Sequence, residues 1–107
     1  MVNRPPNFIV ILTDDLGWGD LGCNGATEWS TPRIDLMARQ GVRFTDFYVP
    51  SPVCTQSRFG LLTGRYSIRA NLDHVLFPNE HIGIPNWEVT IAGALKRVGY
   101  QSACIGK

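Results

Sequence analysis

An α/β fold, a mostly parallel sheet flanked by helices, is what this chain predicts, on three observations. Phe8-Ile9-Val10-Ile11-Leu12 is an unbroken apolar run rich in β-branched residues, the pattern of a central strand covered on both faces. Gln101 to Ile105 reads as a second strand. Between the two lie segments with helix start and stop signals, and a right-handed helix crossover makes the strands it joins parallel.

Length and charge narrow the function classes. The chain has 107 residues, 44% of them hydrophobic, and a formal net charge of +1, which describes one small globular domain. Nothing in that charge suggests a polyanion, so no nucleic-acid partner is expected. No apolar run approaches the length of a membrane span. The start Met1-Val2-Asn3-Arg4-Pro5-Pro6 has no apolar core of the signal-peptide type, so no signal peptide is expected on this chain. The cysteines Cys23, Cys54 and Cys104 are odd in number and irregularly spaced, which fits neither a disulfide framework nor a zinc pattern.

In chain order, the first strand ends in Thr13-Asp14-Asp15 followed by Gly17 and Gly19. Inside a strand two adjacent carboxylates point to opposite faces. At the strand's carboxyl end, with glycines letting the backbone turn, both can converge on one cation, and that edge is where open α/β sheets bind ligands. The plainer alternative is a loop or helix cap. Thr31 to Gly41 reads as a helix, with Thr31 as N-cap, Pro32 in the first turn, Gly41 past the end, and Ile34, Met37 and Ala38 as its apolar face. Val42 to Val49 alternates apolar and polar residues with a slip at Asp46, suggesting a strand or extended segment.

Pro50 and Pro52 then exclude a helix until Cys54, after which a short helix is predicted, stopped by Gly64. Cys54 falls at or just before its N-terminus, where N–H groups and the helix dipole favour negative charge. A thiol there is reactive. Arg58 lies one turn along the same face, so its guanidinium can point back at whatever Cys54 carries. A Cys-x-x-x-Arg spacing alone more commonly marks a core cysteine beside a surface arginine.

Tyr66 to Trp87 lacks periodicity and is punctuated by Pro78, Gly83 and Pro85, so it reads as a long loop forming part of a substrate-side wall. His74 and His81 are read as loop histidines without metal, lacking cysteine or carboxylate partners at ligand spacing. Thr90 caps a helix with Ile91, Ala94, Leu95 and Val98 on one face, ended by Gly99. Gln101 to Ile105 is the second strand, with Cys104 expected in the core and Lys107 at the same carboxyl edge as Asp14 and Asp15. Cys23, in a Gly-rich loop, is read as a packing residue.

The longer string Cys54-Thr55-Gln56-Ser57-Arg58 through Leu61-Leu62-Thr63-Gly64-Arg65 resembles the signature of the type I sulfatases, of the alkaline-phosphatase-like superfamily. Thr13 to Cys23 looks like that family's metal-binding opening, and Gly99-Tyr100 through Gly106-Lys107 looks like its second signature. The resemblance is closest to the arylsulfatase branch and covers nearly the whole chain. One residue departs from the pattern: Gln56 stands where the family usually has proline.

The resemblance implies a sulfuric ester hydrolase in which Cys54 is converted to formylglycine by a formylglycine-generating enzyme. It implies calcium held by Asp14, Asp15 and the residue at Cys54, with Arg58 and Lys107 as catalytic cations. A hydrated aldehyde attacks sulfur through one hydroxyl; loss of a proton from the second then expels sulfate and restores the aldehyde, which a serine or cysteine cannot do. The substrate expected is a sulfated small molecule or carbohydrate. A phosphonate or phosphate-ester hydrolase of the same superfamily is the nearest alternative, and a catalytically dead relative that binds sulfated ligands is another. The expected organisation is residues 1–107 as the N-terminal portion of a single sulfatase catalytic domain, incomplete as a catalyst alone. Members that resemble it are often exported.

Overall fold

The computed structural model describes residues 4–107. It divides into two compact units, Met1–Thr45 and Asp46–Lys107.

In the first unit, helix α1 spans Pro32–Gln40, as its Pro32 start and Gly41 stop dictate. Thr31 occupies the N-cap, but its hydroxyl does not cap the helix. It accepts the Gly22 N–H at 2.8 Å and donates to Asp35 Oδ1 at 2.9 Å, while Asp35 Oδ1 also accepts the Cys23 N–H at 2.8 Å. Thr31 and Asp35 therefore fasten the glycine-rich loop to α1. A side chain at Gly22 would collide with the Asp35 carboxylate, so this approach requires glycine. Two short 3₁₀ turns, Trp18–Asp20 and Gly22–Asn24, carry the loop, and Trp29 Nε1 donates to Asp20 O at 2.8 Å across it.

In the second unit, helix α2 spans Cys54–Thr63 and ends where Gly64 adopts a left-handed conformation, φ 69°. Its start is fixed from outside the helix. The Pro50 ring lies so close against Gly60 that a Cβ there would overlap it, which folds the double-proline segment back along α2 and sets where Cys54 enters the first turn. A 3₁₀ turn over Ser67–Ala70 follows, and helix α3 spans Ile91–Lys96. Here the Thr90 hydroxyl does cap, accepting the Gly93 N–H at 3.1 Å. Phe59, Ala70 and Leu72 form the buried cluster, with Leu76 packed on it. Arg65, just past α2, stacks over the Trp87 ring at 5.6 Å and pairs with Glu88 at 3.3 Å, linking the α2 exit to the α3 approach.

The described residues contain helices and no strand. The runs at 8–12, 42–49 and 101–105 carry no ladder, and a strand exists only through hydrogen bonds to a neighbour. The residues expected at the centre of a covered sheet are accordingly exposed, Ile9 at 88% and Ile105 at 95%. Cys104, expected in the core, is exposed with its segment. Of the apolar face expected on α1, Ile34 and Met37 are exposed, at 43% and 63%, and Ala38 is half-buried. Among the described residues no helix is long and apolar enough to cross a membrane.

Candidate functional site

Cys54 is the first residue of α2, half-buried and in no disulfide. Val53 before it is extended (φ −121°, ψ 154°) and gives no side-chain cap, and the Ser57 N–H closes the first turn on Val53 O at 3.1 Å. The end of α2 that carries Cys54 is thus the positive end of the helix dipole, suited to an anion. Arg58 follows in the next turn and is half-buried, so helical spacing puts it on the face that Cys54 occupies.

Asp14 and Asp15 are exposed at a bend that follows the apolar run in the first unit. Lys107 is exposed at the far end of the second. Adjacent carboxylates are hard oxygen donors of the kind calcium takes, and two of them supply part of its usual six to eight or so positions. Their chemistry fits that ion as a partial shell. Among the described residues no three His, Cys, Asp or Glu side chains gather as a metal site. A surface hollow in the first unit, lined by Gly22, Cys23, Asp35, Ala38, Arg39 and Arg43, includes none of the predicted site residues.

Two features near Cys54 are not legible as site residues in the sequence. Thr55 Oγ1 accepts the Leu76 N–H at 3.0 Å, tying the following loop to the first turn of α2. His74, expected to lack carboxylate partners, has two: Nδ1 lies 3.0 Å from Asp73 Oδ1 and Nε2 lies 2.7 Å from Glu80 Oε1. The signal for the second was Pro78. It turns the chain over Phe77–Glu80, closed by the Glu80 N–H on Phe77 O at 3.0 Å, and so returns Glu80 to His74.

Gln56, in the same first turn, is only 8% exposed, and its Oε1 meets no donor among the described residues. A buried carbonyl left unsatisfied costs about 1–3 kcal/mol. Proline is tolerated in a first helical turn and removes that group while restricting the unfolded chain. Its bias against a helical preceding residue, here Thr55, works the other way. Gln56→Pro is therefore expected to raise the unfolding free energy by about 1 kcal/mol, read as a higher denaturant midpoint at unchanged slope. A lower midpoint would mean that the Thr55 conflict dominates.

The comparisons with known proteins converge. The sulfatase family model matches residues 6–107. Human arylsulfatase A is 50% identical over 107 residues, covering 99% of this chain and 21% of the relative. Mouse N-acetylgalactosamine-6-sulfatase is 43% identical over 112 residues, covering 97% of this chain and 22% of the relative. A solved structure, labelled BT33336S-sulf and described as belonging to a core locus for metabolism of multiple glycosaminoglycans by Bacteroides thetaiotaomicron, superposes with a TM-score of 0.76 at 50% identity. That likeness covers 81% of this chain and 18% of the other. The chain spans about a fifth of the length of the curated relatives it matches. With residues 6–107 matched by the family model and half of its residues shared with a relative over nearly its whole length, the chain belongs to the sulfatase family.

Proposed function

We propose that the protein is a sulfuric ester hydrolase acting on an aryl or carbohydrate sulfate through the residue at position 54. The observation that carries this reading is Cys54 at the first position of α2 with Arg58 one turn on, in a chain of the sulfatase family. The names of its relatives, arylsulfatase A and N-acetylgalactosamine-6-sulfatase, support the substrate classes. The sheet expected from residues 8–12 and 101–105 belongs to the same reading, supported by the likeness to the Bacteroides structure.

In the proposed mechanism Cys54 is the residue that a formylglycine-generating enzyme would convert to formylglycine, and that group would supply an oxygen nucleophile at the first position of α2. Asp14 and Asp15 would hold calcium, joined by the residue at 54, and that ion would supply positive charge to the reacting oxygens. The N-terminal turn of α2 binds the anionic ester, because its N–H groups and dipole favour negative charge. Arg58 and Lys107 neutralise charge that grows on the sulfuryl oxygens and the leaving group, which is where a transition state gains most from fixed cations.

Turnover of an aryl sulfate by the intact protein, compared with an aryl phosphonate, tests the reading. A preference for sulfate by about tenfold or more, the size of one well-placed discriminating contact, is expected. A preference for phosphonate would move the assignment to the other ester class of the superfamily. Mass spectrometry of the peptide containing Cys54 reads the conversion directly. The aldehyde fraction should rise in Gln56→Pro, since proline keeps the segment extended when a modifying enzyme captures it unfolded.

A further inference from the structure

The loop from Leu72 to Glu80 is closed on itself by one imidazole. His74 faces a carboxylate at each ring nitrogen, Asp73 at 3.0 Å and Glu80 at 2.7 Å. An ionised carboxylate only accepts hydrogen bonds, so both ring nitrogens must donate, and only the imidazolium carries two N–H groups. Neutral His74 satisfies one partner at the expense of the other.

What the clasp holds lies next to the nucleophile. Glu80 bonds His74 through one oxygen and accepts the Phe77 N–H at 2.6 Å through the other. Between Asp73 and Phe77, the Leu76 N–H reaches Thr55 Oγ1 at 3.0 Å, and Leu76 packs against the cluster of Phe59, Ala70 and Leu72. Thr55 follows Cys54 directly in α2. The charged groups that meet the His74 ring are Asp73 and Glu80, and the tie to α2 is made by the uncharged Thr55.

We propose that protonated His74 is a positioning residue that latches residues 73–80 against the first turn of α2, so that substrate meets a fixed wall beside Cys54. Loss of the proton opens the latch and weakens substrate binding. The effect on substrate rests on the sulfatase reading; the latch itself does not.

The electrostatic surroundings of the three groups act in the same direction. His74 is raised above its ordinary 6.5, first by its hydrogen bond to Asp73 and then by that to Glu80. Asp73 and Glu80 are lowered from 3.8 and 4.5, each chiefly by its hydrogen bond to His74. A raised cation contributes fully below 6.5 and loses its contribution as pH rises through the folded value. The lowered carboxylates contribute above their ordinary values and lose it as pH falls through the folded ones. The latch is therefore closed through the mildly acidic range and opens on the alkaline side. With the His74 side chain 50% exposed and Asp73 67%, it acts on the loop rather than on global stability.

Hydrogen exchange of the intact protein, corrected for the intrinsic pH dependence of exchange, tests this at about pH 5.5 and about pH 8.5, on either side of the histidine range. In the wild type the Leu76 and Phe77 amides should lose protection by about threefold or more at the higher pH, the scale of an exposed charge-assisted contact. His74→Gln should show the low protection at both values. His74→Arg, whose fixed charge and several donors can reach two carboxylates, should show the high protection at both. In the same preparations the wild-type KM for an aryl sulfate should rise with pH by a similar factor. KM should stay flat and high in His74→Gln and flat and low in His74→Arg, with kcat following one common profile in all three. Corrected protection that does not change with pH in the wild type, or a His74→Gln protein that behaves as wild type, overturns the latch. A pH-dependent latch in a protein that turns over no sulfate ester instead strikes the catalytic reading and, with it, the effect on KM.

Discussion

Cys54→Ala in the intact protein is expected to lower aryl sulfate turnover by about 10³-fold or more, to the level that binding and electrostatics give without a nucleophile. The fold should survive. Cys54 is half-buried at the first position of α2, and the apolar core contact of that helix is made about a turn and a half further on, by Phe59 in its cluster with Ala70 and Leu72. Alanine also forms helix well, so the unfolding midpoint should move little. Arg58→Lys separates charge from geometry. It keeps the cation but loses the planar fork that can hold two oxygens of a sulfuryl group, and a loss of about 10²-fold in kcat/KM is expected. If Cys54→Ala keeps more than a small fraction of turnover, the nucleophile lies elsewhere and the helix is a binding element only. If Arg58→Lys matches wild type, charge at that position suffices.

Legibility followed locality. The ends of α1 and α2 were readable because the residues that make them act within a few positions: Pro32 and Gly41 for the first, Gly64 for the second. Thr90 and Thr31 both stand at the N-cap positions the sequence predicts, but only the Thr90 hydroxyl makes the capping bond. The difference is tertiary. Gly22 and Asp35 compete for the Thr31 hydroxyl, and a backbone N–H nine residues away is not visible in local spacing. The same holds for His74, whose partner Glu80 arrives only after the Pro78 turn. Thr55 sat inside the recognised string, yet its bond to Leu76 spans 21 positions. The strands depended on the least local information of all. Phe8 to Leu12 has the composition of a buried strand, but composition cannot supply the ladder that completes one, and Ile9 and Ile11 are exposed at 88% and 77%.

Removing charge from the paired aspartates is expected to give the second largest effect. Asp14→Asn and Asp15→Asn each keep a side chain of the same size with one carbonyl oxygen, so a ligand atom remains while its formal charge is lost. Calcium affinity in oxygen-donor sites is tuned over many decades by ligand charge. One charge removed at ligand distance should therefore weaken binding on the order of a hundredfold. Both aspartates are exposed at a bend, outside any helix, so the effect of either substitution on stability without metal should be small beside its effect on calcium binding. Glu28→Gln makes the same charge change at an exposed position of the same unit and serves as the control. Calcium titration of the intact protein, by calorimetry, should separate the aspartate variants from both wild type and control. Turnover lost by the aspartate variants should return in part when calcium is raised, because the defect is in affinity and the nucleophile is intact. Asp20 is a poor control, since its carboxylate accepts the Gly17 N–H at 2.6 Å and its loss would loosen the loop itself. Wild-type calcium affinity in both variants would remove Asp14 and Asp15 from the metal shell and leave them as a loop pair. Weakened affinity with unchanged turnover at limiting calcium would instead keep the site and take the ion out of the chemistry.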